Sequence, residues 1–156
     1  MLIKYELLYL STIQNIQQCP KLRTYKLFKK RINYEPYLSL QVPKYRISLS
    51  RLRTSSHHLE IERGRYNTPK TPPELRLCKQ CDQALIEDEM HFVITCKKYK
   101  LLRDNMFNIV NPLIQGFDHM TDHEKFCTLL SNQDGLIIHA LAKYCHLAFK
   151  LRSEVQ

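Results

Sequence analysis

Four residues constrain this chain more than any others: Cys78, Cys81, His91 and Cys96, in the pattern C-x2-C-x9-H-x4-C. Two thiolates across a two-residue turn can reach one ion at a Zn–S distance of about 2.3 Å, and a returning His and Cys close a tetrahedron. Soft sulfur plus imidazole suits one Zn2+ ion, and four protein ligands leave no open position. The expected site is therefore structural, not catalytic. The last two ligands add a condition. Residues five apart on a regular helix differ by about 140° once a full turn is removed. The backbone must bend or tighten between His91 and Cys96, which predicts a short helical turn over 88–95 and a break at Cys96. The competing reading is a chance grouping of buried free cysteines and a core histidine.

The chain has 156 residues and six cysteines. The Met1–Glu6 start carries Lys4 and Glu6 and shows no secretory pattern, so reduced thiols and an intracellular protein, nuclear or cytoplasmic and not secreted, are expected. No run approaches the roughly 20 apolar residues of a membrane span. Three glycines and no tryptophan argue against a turn-rich β-sandwich or barrel. The fold class read from this is mainly α: a compact helical domain with one small structural zinc knuckle.

Net charge is +9, and its distribution is uneven. Residues 21–70 hold thirteen Lys/Arg against three acids, so the whole excess lies in that block. A concentrated basic block points to a polyanion, most often nucleic acid; the bland alternative is a solvated surface. Tyr25, Phe28, Tyr34, Tyr37, Tyr45 and Tyr66 are interleaved with these cations and suit either a core or an interface.

The chain reads as an N-terminal helix (1–20), a basic helical segment with a Pro-rich loop (21–75), a zinc-binding region (76–108) and C-terminal helices (109–156). Helices are predicted over 4–18, 21–33 and 43–58. In the second, Leu22, Tyr25, Phe28 and Ile32 recur at helical spacing. In the third, Tyr45, Leu49, Leu52 and Ser56 form one stripe and Arg46, Ser50, Arg53 and His57 another. Residues 59–66 fit a frayed helix end or a short strand. Three prolines in residues 67–73 make a loop. Further helices are expected over 97–108, over 122–131 behind a Thr121/Glu124 capping box, and over 135–152 capped by Asp134. His119 and His123 read as a surface pair, and Cys127 and Cys145 as buried, inert thiols.

The stretches Lys21–Lys29, Arg46–His58 and Leu59–Tyr66, the Cys78–Cys96 set with Glu87-Asp-Glu-Met-His91-Phe, and Lys98–Arg103 together resemble the C-terminal tail of non-LTR retrotransposon reverse transcriptases. That tail is a zinc-binding region of CCHC type. The likeness covers about residues 21–107 and is strongest over 46–103. It implies that the domain helps a polymerase hold template RNA or target DNA. It also implies that Cys78, Cys81, His91 and Cys96 are the metal ligands, with Arg46–His58 as the basic element ahead of them. Many relatives follow the last ligand with proline, where this chain has Lys97.

No Tyr/Phe-x-Asp-Asp turn is present, and no Pro-Asp…Asp/Glu-x-Lys nuclease pattern. A detached tail without catalysis is expected. Its partner is RNA or DNA, with a polymerase core as a further candidate, and no membrane or small-molecule substrate. Arg46, Arg51, Arg53, His57, Arg63, Arg65, Lys97 and Lys98 are the candidate nucleic-acid contacts; Arg53 or Arg63 can instead pair with Glu60 or Glu62. Glu87-Asp88-Glu89 is expected to keep the loop soluble or to pair with Lys97 and Lys98. The alternatives are a module that docks on a polymerase core, a metal-dependent nuclease, and a decayed element fragment.

Overall fold

The computed structural model describes residues 2–29, 31 and 33–154, with side chains from Tyr9 onward. Among the described residues, seven α-helices run in order: α1 (Leu2–Gln18), α2 (Tyr25–Phe28), α3 (Pro43–Arg53), α4 (Glu60–Arg63), α5 (Lys100–Val110), α6 (Asp122–Ser131) and α7 (Gly135–Ser153). Short 3-10 turns join several of them, and no strand occurs among the described residues. The mainly helical class is as expected. None of these helices is long and apolar enough to cross a membrane.

α7 is the centre of the molecule. Ile137, Ile138, Ala140, Leu141, Ala142, Tyr144, Cys145 and Ala148 are all buried on it, so apolar side chains face inward around much of its circumference. α3, α5, α6 and the Pro36–Ser39 turn pack against it. α6 starts at the predicted capping box: the Glu124 amide donates to Thr121 Oγ1, and Glu124 accepts from the Thr121 amide. Asp134 caps α7 by accepting from the Leu136 and Ile137 amides.

Three predicted elements differ. The 21–33 helix reduces to a 3-10 turn at Pro20–Leu22 and the single turn of α2; Lys30 and Ile32 lie outside the described residues. Lys29 leaves the helix in an extended conformation and ion-pairs with Glu35. The 43–58 helix stops at Arg53, because Ser55 takes a left-handed φ of 51°. The Ser56 amide then donates to Arg51 O and the Ser55 amide to Leu52 O, the bond pair of a Schellman ending normally built on glycine. Residues 59–66 resolve into the one-turn α4, with Glu60, Ile61 and Glu62 buried. Gly64 ends it where a Cβ would meet Arg76 at 2.7 Å.

Candidate metal centre

The Cys78–Cys81 end of the site is a small knuckle. Leu77 and Ile86 form an antiparallel bridge, Cys78 N–H donates to Leu85 O, and Glu87 N–H to Arg76 O. This closes the chain on itself so that both sulfurs face one point. The Gln80 amide lies 3.4 Å from Cys78 Sγ and donates to it.

The other two ligands come from a π turn, His91–Thr95. The Cys96 amide donates to His91 O at 2.8 Å. An i→i+5 bond widens the helix, so a residue five positions on returns over its start. The geometric condition read from the spacing is therefore met by widening, not by bending or tightening. The break falls at Cys96, which is extended, and Lys97 starts a 3-10 turn behind it. Asp88 Oδ1 accepts the His91 amide at 2.7 Å, as an N-cap does. Phe92 enters the core, stacked on Phe149 at 4.7 Å and edge-on to Tyr99 and Tyr144. Its carbonyl accepts the Tyr144 hydroxyl. Arg103 Nη1 donates to Cys96 O at 2.9 Å. The turn that carries His91 and Cys96 is thus fixed by both α5 and α7.

The four ligand atoms lie within 4.8 Å of one another. Ideal tetrahedral coordination with Zn–S of 2.3 Å and Zn–N near 2.05 Å gives edges of about 3.8 Å for S···S and about 3.6 Å for S···N. Cys78 Sγ and Cys96 Sγ are 3.9 Å apart, and Cys81 Sγ and His91 Nε2 3.5 Å. These fit a shared ion and are far too long for a disulfide. His91 Nδ1 faces Thr95 Oγ1 at 2.9 Å, which leaves Nε2 toward the sulfurs, as expected for an oriented ligand. The contact between the two thiols splits their titration: it and burial push Cys78 up to about 12, while the same contact lowers Cys96. A divalent ion bound here would displace the thiol protons. The four residues can hold one metal ion.

The acidic run behaves differently from expectation. Glu87 and Glu89 are almost fully buried and do not pair with Lys97 or Lys98. Glu87 accepts from Arg152 at 2.8 and 3.0 Å and from the Glu60 amide at 2.7 Å. Glu89 Oε1 accepts from Arg23 at 2.6 Å and Ser55 Oγ at 2.7 Å, with His57 Nε2 at 2.8 Å. Burial alone would raise the Glu89 pKa; the His57 bond and charge, then Arg23 and Ser55, outweigh it and bring it to about 2. The metal loop thus grips the basic segment with its carboxylates.

Burial removes two candidate nucleic-acid contacts. His57 is buried against Glu89. Arg53 is buried between the Phe28 and Tyr37 rings, at 4.0 and 4.6 Å, and donates to Glu35 at 2.7 Å and Leu130 O at 2.6 Å. Neither reaches the surface. Arg46 donates to Leu40 O, Arg63 meets Glu60, Arg65 meets Glu62 and Lys97 meets Asp82, all at partly or fully exposed positions. Arg51 is exposed and Lys98 half-exposed, and neither side chain has a partner among the described residues. The exposed His119 and His123 are a surface pair, with His123 3.5 Å from Cys127, which is half-buried rather than buried. Cys145 is fully buried, and burial pushes its thiol far up. Residues missed by sequence reasoning are Arg23, Ser55 and Arg152, whose partners lie 34 to 92 positions away. Compared with protein-family models, with curated proteins and with solved structures, the chain matches none.

Proposed function

We propose that this chain binds nucleic acid through a cationic surface held in shape by one structural zinc ion, in the manner of the reverse-transcriptase tail it resembles. The observation that carries the reading is where burial puts the charges. Glu35, Glu60, Glu62, Glu87 and Glu89 have side chains no more than 12% exposed, and they are met by Arg23, Lys29, Arg53 and Arg152. Among the described residues the interior takes up about as many acids as bases, so the excess of positive charge stays outside. Arg51, Lys98, Lys44 and His58 are then available to phosphates, which position a protein without reading bases.

Zinc is the ion this donor set suits: three thiolates and one imidazole at tetrahedral edges, no open position and no redox demand. A filled shell assigns the metal to architecture, and the reading gives the chain no catalysis of its own. Purified protein should carry one zinc per chain by elemental analysis, and Cys81→Ser should carry much less. A labelled RNA hairpin and a DNA duplex should both be retarded, with log K falling by about 0.9 per duplex phosphate neutralised as log salt rises. Metal-loaded protein that retards neither at low salt overturns the reading.

A further inference from the structure

A cleft of about 380 Å³ opens between the C-terminal half of α3, the Ser56–His58 turn and the last turns of α7. That volume lies within the range of small-ligand pockets, roughly 300–1,000 Å³. Its lining is one-sided in charge. Arg51 enters from α3, His58 from the turn, and His146 and Lys150 from α7, with the hydroxyls of Ser48 and Ser56 between them; no acidic side chain lines it.

The neighbouring carboxylates are occupied. Glu87 and Glu60 face Arg152, which forms part of the cleft wall, and Glu89 faces His57. Glu154 lies 3.9 Å from Lys150, but both side chains are more than half exposed, and such a pair holds weakly. Neither Arg51 nor His58 has a side-chain hydrogen bond or ion pair among the described residues. The end of α7 contributes about half a negative charge, which Arg51 and Lys150 exceed. The positive field registers on His146, held below its usual range by burial and then by Lys44 and Lys150. Phe149 adds aromatic surface to the wall, of the kind on which bases stack. Like charges gathered in a recess focus field on a small anion.

We infer that this cleft binds the phosphate of a nucleotide, either free or at the end of a strand. In the second form it rests on the nucleic-acid reading above; in the first it stands without it.

The test titrates 5′-AMP, and adenosine as the phosphate-free control, into the full metal-loaded chain. The histidine ring protons of His58 and His146 are followed by NMR. Expected are shifts with 5′-AMP and binding of adenosine at least about tenfold weaker, the scale of one charge-assisted contact. The Arg51→Ala/Lys150→Ala double variant should lose 5′-AMP binding at least about tenfold while keeping its metal content and melting temperature. A Lys70→Ala/Lys143→Ala variant, with the same loss of charge away from the cleft, should bind as the parent does. No binding of 5′-AMP, equal binding of adenosine, or equal losses in the two double variants overturns the inference. If the cleft variant loses metal or unfolds, Arg51→Lys with Lys150→Gln repeats the comparison.

Short RNAs with and without a 5′-phosphate separate the sources. Preference for the phosphorylated strand assigns the cleft to strand ends. Equal retention of both, with 5′-AMP bound, assigns it to free nucleotide. RNA retained equally by parent and cleft variant, without 5′-AMP binding, removes the cleft and leaves the nucleic-acid reading standing. 5′-AMP bound by a protein that retains no RNA or DNA does the reverse.

Discussion

Glu89 accepts from Arg23 and Ser55 and pairs with His57 while only 1% of it is exposed. Replacing it with Gln leaves Arg23 with Glu62 alone as counter-charge and takes the buried carboxylate away from Ser55 and His57, and breaking a buried pair from one side costs about 3–5 kcal/mol. Urea unfolding of Glu89→Gln should show that loss at neutral pH. The pH dependence has a definite sign. The Glu89 pKa falls from 4.5 to about 2 on folding, so its contribution is complete above 4.5 and disappears as pH drops toward 2. Asp88 acts in the opposite sense, since burial raises its pKa. The stability difference between parent and Glu89→Gln should therefore shrink between pH 4.5 and 2, and a constant difference across that window would refute the assignment. At this scale the sequence was most informative for the gathering of Cys78, Cys81, His91 and Cys96, because thiols and imidazole at that spacing have few other uses. It was least informative for Arg53 and His57. A cation's sequence neighbours say nothing about which distant carboxylate will bury it.

The π turn shows how an element can carry a ligand set that a regular helix cannot. Thr95 Oγ1 at His91 Nδ1 fixes the ring, and such outer partners typically govern metal affinity 10–100-fold. Thr95→Val should therefore weaken zinc binding by roughly that factor in a chelator competition, while still holding one ion at saturation. Tyr144 ties α7 to the same turn through the Phe92 carbonyl. Tyr144→Phe should cost about 1–3 kcal/mol by thermal or urea melts, the penalty of a buried acceptor losing its partner. The α6 and α7 starts were legible because Thr121, Glu124 and Asp134 act on amides two or three residues away. The end of α3 was not. A serine at φ 51° carries no glycine signal, and the bond that helps hold Ser55 there comes from Glu89, distant in the chain.

Across the whole molecule, the candidate metal loop is built into the core: Phe92, Val93, Ile94, Cys96 and Tyr99 are all buried in the same cluster as α7. Structural zinc supplies about 10–16 kcal/mol in small domains, comparable to the 5–15 kcal/mol by which whole domains are stable. Chelation should collapse helical circular dichroism across the chain instead of loosening one loop, and re-addition of zinc should restore it. A signal unchanged by chelator, in protein shown to be metal-free, would disprove that coupling. The helical class followed from periodicity and composition, whereas the central place of α7 depends on packing that no local pattern encodes. Arg152 and Glu87 stand 65 positions apart. During synthesis, a nascent chain whose Cys78, Cys81 and Cys96 have already left the ribosome holds Glu87 by the Glu60 amide but without its counter-charge until the far end of α7 emerges, so this ion pair closes only after translation has passed Arg152.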